Sequence, residues 1–232
     1  DFALWTDFEG DDYGDSTLGY PVIEGIEDMT GLADLLSFGF KVYEETIVYT
    51  LKLKRLDNFW NAPLGFSFPL IDIYIDLNNR YGAGSNLALN DRMVSFSDQD
   101  GWEYVVVING WGARLYRPSM TGGVFKVSSL ECKKVSNNEI EVIVPRNVVR
   151  GNPFNWGYGV LAMGYSRFSM KDPPSPMRVD TNPNENNFTS PYGQESSPVV
   201  DIIVHNGQSQ NDILNVGGSR KKITIPMLRA NQ

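Results

Sequence analysis

The sequence predicts an all-β protein: one β-sandwich of immunoglobulin-like type with long loops, built from residues 1–232 as a single domain. Three observations support this. Apolar and polar residues alternate with a period of two in several segments, the spacing that puts one face of a strand inward. No window carries the three-and-four spacing of a long amphipathic helix. Gly, Asn, Pro and Asp clusters separate the segments without a strand–helix rhythm, which favours a sandwich, with a barrel as the alternative.

The elements follow in order. DFALWT, at residues 1–6, is apolar and extended. It reads best as the first strand of its own sandwich, although it could instead pair with the sheet edge of a neighbouring subunit. FGFKVY (38–43), TIVYTLKLKR (46–55) and IDIYIDL (71–77) follow as strands. WEYVVVI (102–108) and EIEVIVP (139–145) are rich in Val, Ile and aromatics, as expected of strands buried on one or both faces. NVVRG (147–151) is short enough for one helical turn, and YGVLAMGYS, VVDIIVH and KITIPM complete the set. Residues 172–198 are dominated by Pro, Asn and Ser, and predict a long irregular surface loop. Within them Asn187-Phe188-Thr189 fits a glycosylation sequon.

Composition removes several functions. No apolar run approaches the roughly 18 residues of a membrane span. A net charge of −8 argues against nucleic acid as a partner. The one cysteine, Cys132, excludes an internal disulfide and a cysteine zinc cluster, and reads as a small strand residue in LECKKV. A start at Asp1 suits a processed secreted protein or a module of a longer one. The charge is also uneven. Residues 1–40 carry ten acids and no Lys or Arg, leaving +2 for the remainder. Charges so crowded need either solvent and salt around a loose tail, or a bound cation.

DFEGDDYGD, residues 7–15, concentrates that charge. Carboxylates alternate at Asp7, Glu9 and Asp11, with Asp12 and Asp15 close behind, and Gly10 and Gly14 permit tight turns. Calcium takes about six to eight hard oxygens, which such a loop can offer. The spacing is not that of an EF-hand. A solvated acidic tail is the competing reading of the same residues.

TDFEGDDYGDSTLGYP resembles the opening signature of the C-terminal, DOMON-like module of glucodextranase. LADLLSFGFKV, LDNFWNAPLGFSFPLIDIYIDL, WEYVVVINGW and SPVVDIIVHNGQSQNDIL resemble later segments of that family in the same order. The resemblance implies a DOMON-like β-sandwich, an extracellular or cell-surface setting, and Ca2+ held by Asp7, Asp11 and Asp12 first, with Glu9 and Asp15 next. It departs at Asp15-Ser16-Thr17, where the family has Gly-Pro-Gly, and at Leu18, where it has Tyr. Asp34 could return to the same site, or could simply cap a loop end.

No catalytic constellation stands out, so the expectation is a protein that is not an enzyme. GFSFP and GYSRF lack the second glycine of a nucleophile elbow. The single histidine, His205, sits at a strand end. Asp72 and Asp76 lie on one strand face with Tyr74 and are expected to be exposed. Binding is the better reading, with a polysaccharide or cell-surface glycan as partner. Sugars stack on exposed aromatic rings while amides bond their hydroxyls. Trp60 with Asn61, and Trp156 with Asn155, lie in loops and are the candidates. The alternative is a free-standing structural subunit of a surface layer or extracellular filament, self-assembling with like subunits.

Overall fold

A computed structural model describes residues 1–168, 170–205, 207–215 and 223–230. The strands are β1 (Phe2–Thr6), β2 (Leu35–Val42), β3 (Thr46–Leu53), β4 (Pro69–Asp76), β5 (Val94–Ser95), β6 (Tyr104–Asn109), β7 (Gly112–Pro118) and β8 (Val124–Lys134). They continue with β9 (Glu139–Pro145), β10 (Gly157–Gly164), β11 (Arg178–Asp180), β12 (Asn187–Thr189) and β13 (Val199–Ile202). A short helix α1 (Gln210–Leu214) and strands β14 (Ile223–Thr224) and β15 (Leu228–Arg229) close the chain.

One large antiparallel sheet runs in the order β1-β2-β3-β9-β8-β7-β6-β4-β10-β13, with β15 also on β10. The bend is at β8. Its residues 124–130 pair with β7, and residues 131–134 pair with β9. Folding there turns the two halves of the sheet toward each other, as in a sandwich. Phe38 and Phe40 of β2 and Tyr49 of β3 meet Tyr158 of β10, with ring centroids 5.4, 5.3 and 5.9 Å apart.

The burial patterns explain the sequence. β3 and β9 bury every second residue, because each has one inward face. β4 and β10 are buried at every position. Their far face is covered by loops that carry Leu89, Phe96, Trp102, Ile225 and Met227, which form a second core with Leu70, Tyr74 and Leu161. β1 pairs with the chain's own β2 from Phe2↔Lys41 to Thr6↔Ser37. Trp5 stacks on Phe38 at 5.6 Å, while Phe2 and Leu4 face outward.

Some expectations needed correction. β7 and most of β8 lay outside the expected strands, because β8 has no fully buried residue and so no apolar alternation to betray it. KITIPM yields only β14 at its start, paired parallel to β5, and its Lys222 lies outside the described residues. Residues 172–198 hold the parallel pair β11–β12 and send Met177, Val179 and Phe188 into the core. Single apolar residues spaced among Pro and Asn carry no period, which hid them. The Asn187 amide is buried and donates to Asn182 and Phe188 carbonyls, so it is not presented as a glycan acceptor. NVVRG makes one turn, with the Val149 N–H on the Pro145 carbonyl. Cys132 is a half-buried strand residue whose thiol burial pushes up to about 12. Among the described residues, no helix is long and apolar enough to cross a membrane.

Candidate metal centre

The acidic loop leaves β1 at Asp7 and is drawn back over the ends of β2 and β13. Gly10 and Gly14 adopt φ of 86° and 59°. Gly14 lies so close that a Cβ would sit 2.8 Å from the Val199 carbonyl, and its N–H donates to the Val200 carbonyl at 2.8 Å. Gln210 of α1 clamps the same place. Its amide donates to the Asp11 carbonyl at 2.5 Å and its oxygen accepts the Ile202 N–H at 2.8 Å. The loop is therefore anchored rather than a loose tail.

These anchors converge carboxylates from distant segments. One oxygen each from Asp11, Asp34 and Asp201 lie within 4.8 Å of one another. Asp34 and Asp201 are fully buried. Asp7 belongs to the same electrostatic group. Burial, with the Asp11 and Asp34 charges, raises its pKa to about 7. Burial and the Asp12 charge likewise raise Asp34 to about 7, and burial raises Asp11. Asp201 is pushed well above the carboxylate range by burial and then by Asp7 and Asp11.

Hydrogen bonding does not relieve this group. Asp7 Oδ2, Asp11 Oδ1 and Asp34 Oδ1 are buried with no partner. Two of their sister oxygens are in use: Phe8 N–H donates to Asp7 Oδ1 at 3.0 Å, and Gly10 N–H donates to Asp34 Oδ2 at 2.8 Å. Asp201 accepts the Leu35 N–H at 2.5 Å and its neighbour Ile202's N–H at 2.7 Å. Buried unpartnered carboxylate oxygens are costly, and they are the donor set that a hard divalent cation takes.

The other expected ligands have different placements. Asp12 is buried, accepting the Tyr20 hydroxyl and, at 2.9 Å, the Gly31 N–H. Asp15 closes a turn onto the Thr17 N–H at 3.0 Å. Glu9 is exposed and pairs with Lys54 at 3.4 Å; Lys54 also reaches Asp34 at 3.9 Å. Asp201 escaped the sequence reading. Its signal was a carboxylate in the middle of VVDIIV, where an ionised side chain requires a partner.

The aromatic candidates divide. Trp156 is buried in the main core, so it offers no platform for a sugar, while Asn155 beside it is exposed. A 3-10 turn over Pro153–Asn155 ends there, and Trp156 returns to extended backbone just before β10. Trp60 is half-buried and lines a cleft of 430 Å³ with Arg167, Glu24 and Asn186; Asn61 is exposed at its edge of the loop. The ring is partly covered, by the Arg167 guanidinium at 5.3 Å and the edge of Phe59 at 4.8 Å. Asp72 and Asp76 are buried rather than exposed. Asp72 pairs with buried Arg92 at 2.8 Å, and Asp76 with Arg229 at 2.6 Å. Their face is covered by the second core, which strand spacing alone does not reveal. His205 contacts the Met227 carbonyl at 3.0 Å.

A family model described as the C-terminal, SLH-like binding module of glucodextranase matches residues 3–227. No curated protein matches the chain.

Proposed function

The chain belongs to the family of the glucodextranase C-terminal, SLH-like binding module, and from that membership we propose an extracellular, non-catalytic, carbohydrate-binding module whose N-terminal loop is closed by calcium. The family is one of binding modules rather than catalytic domains. Calcium, the extracellular setting and the glycan are the steps beyond it.

One observation carries the calcium reading: carboxylates from three segments converge, and three buried oxygens in their group lack any partner. The donors are hard oxygens only, which suits calcium and not the nitrogen and sulfur preferences of zinc or copper. Asp7, Asp11, Asp34 and Asp201 would hold the ion, which supplies charge neutralisation and a cross-link. The residues themselves set the consequence. Asp7 follows β1, Asp34 precedes β2 and Asp201 lies within β13, so the link fastens the N-terminal strand and loop to both halves of the sheet. The role is structural. Thermal denaturation tests it: calcium should raise the melting temperature and a chelator lower it. Unchanged melting under both conditions contradicts the site.

A second reading, a self-assembling surface subunit, is favoured by β1. It is an edge strand whose Phe2 and Leu4 are 74% and 59% exposed. On that reading, removing residues 1–6 abolishes concentration-dependent assembly; a monomer at all concentrations contradicts it.

A further inference from the structure

A second, larger cleft of 850 Å³ opens above the second core, lined by residues 82–92, Asp98, Trp102, the β7–β8 turn, residues 171–173 and Ser175. It shares no lining residue with the acidic cluster or with the Trp60 cleft. Its volume lies toward the upper end of the range of about 300–1,000 Å³ for small-ligand sites. We propose that this cleft is the glycan site of the module and that its ligand is a neutral oligosaccharide. The proposal rests on the binding-module reading.

The walls are built and braced. Arg92, almost wholly buried, is the central peg. Its guanidinium bonds Asp72 of β4 at 2.8 and 3.2 Å, the Pro174 carbonyl at 2.8 Å and the Asn90 carbonyl at 3.2 Å. It thus ties the first wall to the third and both to the sheet. The Tyr74 hydroxyl accepts the Leu89 N–H at 3.0 Å, and Trp102 Nε1–H donates to the Leu87 carbonyl at 2.9 Å. Across the mouth, Lys171 and Ser175 meet Asp91 at 2.7 and 3.0 Å, and Tyr116 bonds Asp172. Asp91 and Met93, on either side of the peg, adopt φ of 69° and 59°. Non-glycine residues in this region are uncommon, and here the bracing holds them. A groove fixed before its ligand arrives loses little ordering entropy on binding.

The lining chemistry selects the ligand. Asn86 donates to Asp98 at 2.6 Å, Ser119 meets Thr121 at 2.9 Å and one Asp91 oxygen takes Lys171 and Ser175. The Asn90 amide and the remaining lone pairs of Asn86, Asp91 and Ser119 then supply donors and acceptors in the mixture that a sugar's hydroxyls require. Leu87, 60% exposed on the same wall, offers an apolar surface for a ring face. Acids outnumber bases in the lining, and both cations, Arg92 and Lys171, already face carboxylates. An anionic sugar therefore meets net repulsion, and a neutral one does not. Compared with the Trp60 cleft, this one is larger.

The test is binding of the full chain, in calcium, to an immobilised panel of neutral and acidic oligosaccharides. Variants are Asn86→Ala, Asn90→Ala, the cleft-filling Ser119→Trp, and Trp60→Ala at the other cleft, each checked for unchanged melting. The expected result is binding to neutral members, at least about tenfold weaker in the first three variants and unchanged in Trp60→Ala. Loss only in Trp60→Ala overturns the proposal and leaves the module reading intact. Binding confined to acidic members overturns the ligand class. No binding by the unmodified chain overturns the proposal and the glycan reading together, while calcium-dependent melting would still stand.

Discussion

Asp34→Asn separates a metal ligand from a structural carboxylate, because it should move stability in opposite directions with and without calcium. Asp34 has one oxygen on the Gly10 N–H and one buried without a partner. Asparagine is nearly the same shape, and its carbonyl can keep the Gly10 bond while its amide replaces the repelled oxygen. In the metal-free protein at about pH 8, Asp34 is ionised although its pKa has risen from 3.8 to about 7. That rise corresponds to about 4 kcal/mol before screening, and solvent around the exposed neighbours Glu9 and Lys54 screens it to about 2 kcal/mol. Removing the charge should therefore raise the metal-free melting temperature by about 4–8 °C, at about 2–4 °C per kcal/mol for a chain of this size. In calcium the order inverts. At a hundredfold excess over Kd the ion adds about 2.7 kcal/mol to the unmodified protein, about 5–11 °C, and should add almost nothing to the variant. The assay is thermal denaturation of both proteins in chelator and in calcium. If Asp34→Asn lowers melting equally under both conditions, the Asp34 carboxylate serves only to hold Gly10 and the reasoning fails.

Three other perturbations have defined outcomes. In chelator, stability should fall as pH rises from about 4 to about 7, because folded Asp7 and Asp34 keep protons to about 7 that the unfolded chain releases near 3.8; denaturant titrations at about pH 5 and pH 8 check the sign. Arg92→Met leaves Asp72 buried and unpaired and should cost about 3–5 kcal/mol in urea unfolding, much of it recovered when Asp72→Leu is added. Trp156→Ala should cost about 3–5 kcal/mol through a core cavity, with glycan binding unchanged where the variant is folded.

Much of this fold was legible because period-two burial writes itself into sequence: TIVYTLKL and EIEVIVP each bury alternate residues, as β3 and β9 do. β8 was not, since a strand at the bend of a sheet buries no full face. The acidic loop announced itself by charge density, but its partner Asp201 lies some 190 residues away in sequence, and nothing local marks which side of β13 meets which loop. Trp156 and Asn187 read as exposed for the same kind of reason. Loop composition signals irregular backbone, whereas burial depends on what packs over it. Asp72 and Asp76 reverse the lesson. Their shared face was correct, and the covering layer that buries them came from residues far along the chain.

Calorimetric titration of the chelator-treated protein with calcium reads the acidic site itself. One ion should bind per chain, with protons released on binding near pH 6, where Asp7 and Asp34 are still protonated, and fewer near pH 9. A flat titration, or binding that Asp201→Asn leaves untouched, would contradict it.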